Sequence, residues 1–545
     1  MPELVLGPLL RYVDETSATI WVETDRPCRV AVLDAETRTF AVHGHHYAFV
    51  DVTGLEPGTT TPYEVHLNGE RRWPEPDSPH PASRIRTLDP TRRLRLSFGS
   101  CRTSVPHDDQ HNDTHGLDVL RAMGNRLTTL PDDEWPDLLL MLGDQVYADE
   151  PSQPMLDFIH ERRDTTSEPV DELADFEEYT HLYLLAWSDP TNRWLLSTVP
   201  TMMIFDDHDI RDDWNTSHVW RAQMAALPWW HRRVVGGLGS YWLYQHAGNL
   251  SIADRRADPL MQKLVAAGES GEDAGEVLDA FSSRADSNPE ENRWSYARDI
   301  GRVRLVVLDS RCGRVLDPGK RAVLDDIEWA WFDALARGGD IDHLLIGTSL
   351  PYLLPRGLHE LEFWNEAIAD GRWGRRGARI GEKIRQYLDL EHWAAFHDSF
   401  DAMAAVLDEV SAGRRGAAPA SIVLLSGDVH HSYLMRAETG DPGQRSRIYQ
   451  AVCSPIRNPL PRLYRYANTI AAFAVAGVIG RVLARTAGLR EQALRWHLAH
   501  RPIFDNAIAT LDLDGRTAAV RWETAELSNG ATLPDVVEVT HTKLT

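Results

Sequence analysis

Five aspartates and one histidine fall within the eight positions 206–213, read as Asp206-Asp207-His208-Asp209-Ile210-Arg211-Asp212-Asp213. The apolar run Met202-Met203-Ile204-Phe205 leads straight into them. A run that apolar reads as a buried strand, and it stops where the charges begin. So many adjacent like charges near a core need a cation to neutralise them. Hard divalent or trivalent ions are suited to that task, because they prefer carboxylate oxygen. The competing reading is a solvated acidic turn.

Four further apolar runs end in reactive residues. Residues 94–98 run into Gly99-Ser100-Cys101-Arg102, and residues 138–142 into Gly143-Asp144-Gln145-Val146-Tyr147. Residues 303–308 run into Asp309-Ser310-Arg311, and residues 422–425 into Ser426-Gly427-Asp428-Val429-His430-His431. In open α/β sheets, sites form at the carboxyl ends of strands. The five runs therefore predict one shared rim.

The residue types suggest roles at that rim. Gly143 lets the chain turn sharply off its strand and aim Asp144 at the sheet edge, where its two oxygens can bridge two ions. Cys101, as a thiolate, favours a softer or more highly charged metal than calcium. Tyr147 is either a phenolate ligand, which favours a ferric ion, or a core tyrosine with a satisfied hydroxyl. Asp207 and Asp212 are five apart, a spacing a loop can bring onto one ion. His208 either orients or protonates a leaving group, or forms a salt bridge. Asp428 and His430, one residue apart after Gly427, can face the same side of an extended turn. Arg102 and Arg311 are candidates to grip a phosphate oxygen, with a structural salt bridge as the alternative for each. Two adjacent metals activate a water and neutralise charge on phosphoryl oxygens, so phosphoester hydrolysis is the reaction class implied.

The elements that must position these residues follow from the rest of the chain. Its 545 residues exceed one ordinary core, so at least two domains are expected. Residues 1–88 read as all-β, with alternating strands, the Asn68-Gly69 hairpin signal and a tyrosine corner at 52–63 like that of an immunoglobulin or fibronectin-type sandwich. Prolines at 74, 76, 79 and 81, followed by residues 89–93, read as a linker. From Leu94 to residue 545 short apolar strands alternate with helical stretches, an α/β pattern. Residues 257–292 are polar and read as a surface excursion or mobile lid. The aromatic cluster Trp214, Trp220, Trp229 and Trp230 reads as packing of a helical layer. Residues 507–525 read as a C-terminal β-hairpin around Asp514-Gly515.

The formal charge of −24 argues against general nucleic-acid binding. The four scattered cysteines give no disulfide framework and fit a reducing compartment. With no signal peptide or spanning segment visible, the chain is expected to be cytoplasmic. Residues 455–501 reverse the local charge, with eight arginines against Glu491 around the apolar stretch 471–479. They read as a basic apolar helix pair, either docked on the domain or making peripheral contact with an anionic membrane.

Taken in order, Ser100-Cys101, Gly143 to Tyr147, Asp206 to Asp209, Leu308 to Arg311 and Gly427 to His430 resemble the alkaline phosphatase D (PhoD-like) branch of the metallophosphoesterases. The likeness covers about residues 94–460. It implies a two-sheet αββα sandwich preceded by a β-rich module. It implies a site holding Fe3+ with Ca2+, ligated through the cysteine, the bridging aspartate, the tyrosine and the acidic cluster. It also implies phosphomonoesterase or phosphodiesterase activity on a small-molecule or lipid phosphoester. Asp212 stands where that family usually has Asn, and the added charge bears on metal identity. Two rival functions are a phospholipase D-like phosphodiesterase at a membrane surface and a non-catalytic metal-binding protein that kept the fold.

Overall fold

The computed structural model describes residues 1–459, 492–528 and 530–545. Its first part is built from two four-stranded antiparallel sheets. One has the order Leu4–Val13, Ser17–Thr24, His45–Thr53, Phe40–Val42; the other has the order Ala35–Arg38, Arg29–Val32, Val65–Leu67, Glu70–Trp73. Leu10, Ile20, Val22, Val30, Val50, Val65 and Trp73 fill the space between them. Because side chains alternate along a strand, Leu9, Trp21 and Tyr47 point the other way and join the core of the following domain. The first sheet is thus covered on both faces.

The tyrosine at 63 departs from expectation. Its hydroxyl donates to the Ser197 carbonyl at 2.6 Å, across to the α/β part, so it is no internal sandwich corner. The proline-rich stretch is likewise docked, since Trp194 Nε1 donates to the Pro81 carbonyl at 2.7 Å. Arg11 fixes the two parts most firmly. Fully buried, it donates to the carbonyls of Tyr244 (3.2 Å) and Gln245 (2.6 Å) and to Asn249 Oδ1 (3.1 Å).

Two sheets face each other in the α/β part. The first has six strands in the order Thr201–Ile204, Leu138–Leu142, Leu94–Gly99, Ala507–Asp514, Thr517–Glu526, Asp535–Lys543. The second has seven, in the order Tyr296–Ile300, Val303–Leu308, His343–Thr348, Ser421–Ser426, Arg447–Val452, Tyr433–Thr439, Leu494–Leu498. The strands preceding the reactive residues are parallel to their neighbours within each sheet, so their carboxyl ends share an edge. Leu96, Phe98, Leu140, Leu142 and Ile204 meet Leu305, Val307, Leu345, Val423 and Leu425 between the sheets. Alternate residues such as Leu139, Met141 and Met203 face outward under one helical layer, and Val306, Ile346 and Leu424 under the other. The architecture is the αββα sandwich.

Two expectations are corrected. Residues 257–292 are no lid. They form the helices Pro259–Ser270 and Gly275–Ser287, which bury Leu260, Met261, Leu264, Leu278 and Ala285 at helical spacing. Asp273 accepts from the main-chain N of His43 (2.9 Å) and Gly44 (2.8 Å), which ties this helical pair to the N-terminal sheet. The basic apolar segment lies mostly outside the described residues, the 471–479 stretch entirely so. At its described end, 494–498 is a strand and not a helix: Leu494 and Trp496 are buried while Arg495 and His497 face out, a period of two. The hairpin over 507–525 is present, and a further strand follows at Asp535–Lys543. The clustered tryptophans are core: Trp214 packs on Phe205 at 5.3 Å, and Trp220 on Trp230 at 5.5 Å.

Candidate metal centre

The loops leaving the strands clamp one another. Cys101 N donates to the Gly143 carbonyl at 3.2 Å, and Arg102 N to the Asp144 carbonyl at 3.0 Å. Asp428 N donates to Ser100 Oγ at 3.0 Å. Gly427 has no room for a side chain, because a Cβ there would lie 2.0 Å from Ser100 Oγ. Gly143, at φ +102°, would meet Asp206 Cβ at 2.6 Å. Held this way, Cys101, Asp144, Asp428 and His430 all adopt positive φ (57°, 49°, 68° and 51°). Non-glycine residues rarely accept that conformation, and such strain concentrates at functional sites.

The side chains converge in three adjoining groups. Cys101, Asp144 and His430 each bring a donor atom within 4.8 Å of the others; so do Asp144, Asp206, Asp207 and Asp428; so do Asp207, His208 and Asp212. Asp144 belongs to the first two groups and Asp207 to the last two. Asp144 thus lies between the thiol–imidazole group and the carboxylate group. Cys101 Sγ lies 3.3 Å from Asp144 Oδ2 and 3.2 Å from Ser454 Oγ. His430 Nδ1 pairs with the Asn458 carbonyl at 2.7 Å, which leaves Nε2 as the nitrogen open to a metal.

Buried atoms without partners show what the site fits. Asp144 Oδ1 and Asp206 Oδ2 are buried and make no hydrogen bond. Burial pushes the Asp144 carboxyl well up, helped by the charges of Cys101 and Asp206. Burial likewise pushes Asp206 well up and raises Asp207. The Cys101 thiol is pushed up to about 12 by burial, and Asp428 adds to the push. Anionic donors driven toward their neutral forms by the absence of solvent are stabilised as anions by cations. The residues therefore fit a metal cluster: thiolate, imidazole and phenol at one end, carboxylates at the other.

His208 lies above the carboxylates, its ring 4.7 Å from that of Tyr147. Its Nδ1 bonds Asp149 Oδ1 at 2.9 Å, and its Nε2 is 3.8 Å from Asp212 Oδ1. Burial opposes its charge, yet Asp149 and Asp207 raise its pKa well above the usual imidazole range. Asp212 is the outermost member, 62 % exposed.

Both arginines take the structural alternative rather than the phosphate-gripping one. Arg102 is spent on structure: Nη2 bonds Asp118 Oδ2 at 2.7 Å and Nη1 the Ala186 carbonyl at 2.7 Å, inside the helical layer. Arg311 is near the carboxylates but wholly buried beneath them. It pairs with Asp206, with Asp207 at 3.0 Å and with Glu391 at 2.5 Å, and no part of it is exposed to meet a phosphate. It is the internal counterion of the cluster.

Three residues outside the expected ligand set also border the site. Asp206 joins the carboxylate group. Asp209 points back and accepts from the main-chain N of Asp144 (3.0 Å), Asp206 (2.9 Å) and Val146 (3.3 Å). His392 bridges Glu362 (2.7 Å) and Asp428 (2.9 Å). Burial works against ionising Asp428, but the His392 hydrogen bond holds its pKa at about 2. The apolar-to-charged transition that flagged the other residues is missing at His392, which lies in an irregular stretch after a helix.

Facing sheets with a thiol, carboxylates and imidazoles at their common rim form an arrangement able to hold metal ions. Residues 119–242 match the family model described as PhoD-like phosphatase, and residues 1–85 a domain of unknown function, DUF7800. The solved "Structure of PhoD" shares the fold at a TM-score of 0.60, with 11% identity, over 98% of this chain and 89% of that one. No curated protein matches the chain. The matched segment and the shared fold show that the chain is similar to PhoD-like phosphatases. That segment contains Asp144, Tyr147, Asp207, His208 and Asp212; Cys101, Arg311, Asp428 and His430 lie outside it. No helix among the described residues is long and apolar enough to cross a membrane.

Proposed function

We propose that the chain hydrolyses phosphomonoesters or phosphodiesters at a polynuclear centre held by Cys101, Asp144, Tyr147, Asp206, Asp207, Asp428 and His430. The observation that carries this reading is the sharing of Asp144 between a thiol–imidazole group and a carboxylate group. The first group suits iron(III) and the second calcium. When bound, such metals supply an activated water and neutralise charge developing on the phosphoryl oxygens.

The chain's own residues do the rest. Asp149 raises the pKa of His208 and orients it, so its Nε2 can give a proton to the departing oxygen. Asp212, beside that edge, sets the charge met by an arriving ester. His392 fixes the orientation of Asp428, and Asn458 that of His430. Arg311 holds Asp206 and Asp207 from below and stays out of contact with substrate.

The test is turnover of a chromogenic diester and a chromogenic monoester, with and without chelator, beside elemental analysis. Chelator-sensitive turnover of either ester supports the proposal. A protein that carries metal and turns over neither ester is the non-catalytic metal-binding protein instead.

A further inference from the structure

The helical hairpin Arg356–Ala369 and Gly374–Tyr387 departs from the rest of the surface. Residues 372–388 carry Arg372, Arg375, Arg376, Arg379, Lys383 and Arg385 against one carboxylate, Glu382, in a chain of formal charge −24. Arg385 is buried and paired with Glu382 at 3.1 Å. The other five side chains reach no carboxylate at ion-pair distance among the described residues. Large apolar groups stand between them in water: Trp373 is 50 % exposed, Ile380 59 %, Tyr387 84 % and Leu388 46 %.

The second helix presents these groups on one face. Arg376, Ile380, Lys383 and Tyr387 are spaced at three or four residues and all exposed, while Gly381 and Arg385 turn inward. A Cβ at Gly381 would lie 2.8 Å from Ala369 N, so the two helices pack at close range. Asn365 Nδ2 donates to the Gly381 carbonyl at 2.9 Å and pins that contact. The face is rigidly displayed.

Its position ties it to the catalytic rim. Ser217 bonds Glu382 from the segment that follows the acidic cluster. The chain passes from Tyr387 through Asp389 and Glu391 to His392, whose Nε2 is 2.9 Å from Asp428.

We infer that this cationic, aromatic-ended helix face docks the protein on an anionic lipid surface, with the catalytic rim beside the bilayer. A polyanion in solution would use the arginines and leave Ile380, Tyr387 and Leu388 in water. A lipid interface uses both: basic side chains meet anionic headgroups, while amphipathic Trp and Tyr rings and the aliphatic groups enter the boundary layer. The inference concerns binding and is independent of the metal chemistry, so its failure leaves the phosphoesterase reading untouched.

The experiment is cosedimentation of the full chain with vesicles of phosphatidylcholine alone or mixed with phosphatidylglycerol, at low and high salt. The wild type is expected on the anionic vesicles only, with binding reduced by salt. R376E/R379E/K383E is expected to bind roughly 100-fold more weakly or worse. I380S/Y387S is expected to weaken binding too. Both variants should keep the circular dichroism and the turnover of a soluble chromogenic ester shown by the wild type. Absence of wild-type binding to anionic vesicles overturns the inference, as do variants that sediment like wild type. Capture of polyphosphate without capture of vesicles overturns it in favour of a soluble polyanion.

Discussion

Asp209 Oδ2 accepts the main-chain N–H of Asp144 at 3.0 Å. With further bonds from Asp206 N (2.9 Å), Val146 N (3.3 Å) and Gln245 Nε2 (3.2 Å), this one carboxylate ties two strand-end loops together. An amide in its place would turn an NH2 group against donors. Asp209→Asn is therefore expected to lower metal content or turnover about 10–100-fold while the protein stays folded, the range for groups that orient ligands. Elemental analysis and turnover of the same preparation read this out, and an unchanged variant would remove Asp209 from the positioning role.

Cys101→Ala removes the one thiol of the bridged cluster. The metal at the thiol–imidazole end, proposed to be iron, should be lost along with most activity. Metal analysis of the variant beside wild type decides, and equal iron in both would show that Cys101 is no ligand.

Arg311 is the buried cation under Asp206, Asp207 and Glu391. Replacing it with Met leaves buried carboxylates without their partner, a change that costs about 3–5 kcal/mol. Denaturant unfolding should show that loss. If Arg311 instead contacted substrate, the variant would keep its stability and lose substrate affinity.

Gly427→Ala places a methyl 2.0 Å from Ser100 Oγ and 2.3 Å from Ser100 Cβ. Such overpacking costs typically 1–3 kcal/mol and here displaces the loop bearing Asp428. Gly427→Ala combined with Ser100→Gly should recover part of the lost melting temperature. A single variant as stable as wild type would contradict the close approach.

His45 sits between Glu23 (2.8 Å) and Glu177 (2.9 Å), where the N-terminal sheet meets a helix of the α/β part. Burial lowers its pKa, but the two carboxylates outweigh burial and raise it to about 9. A folded-state pKa above the unfolded value means the contribution is complete below the ordinary imidazole pKa. It is lost as pH rises through about 9. Melting temperature should therefore fall more steeply over that alkaline range for wild type than for His45→Gln. Parallel curves would show that the charge adds nothing.

The sequence made the strand ends legible because burial and chemistry change there within one residue. Gly143 and Gly427 marked where the backbone had to turn, and Cys101, Asp144, Asp207, Asp428 and His430 do converge. The arginines were ambiguous because a cation after a strand reads the same whether it faces substrate or core. What decides is the partner: Asp118 for Arg102, and for Arg311 Glu391, 80 positions away. His392 was hidden for the same reason, since its partners Glu362 and Asp428 come from separate elements. Residues 257–292 misled because polarity outweighed a sparse helical spacing of Leu260, Leu264 and Leu278.

Arg11 reaches from the first strand of the chain to carbonyls at Tyr244 and Gln245, while Asn249, which it also touches, holds the main chain of Met203 one turn of sequence before the acidic cluster. The seam between the two matched segments is thus no mechanical boundary. Severing the chain there would leave raw carbonyls and a bare hydrophobic sheet on each part, and the α/β part would lose the brace behind its acidic cluster.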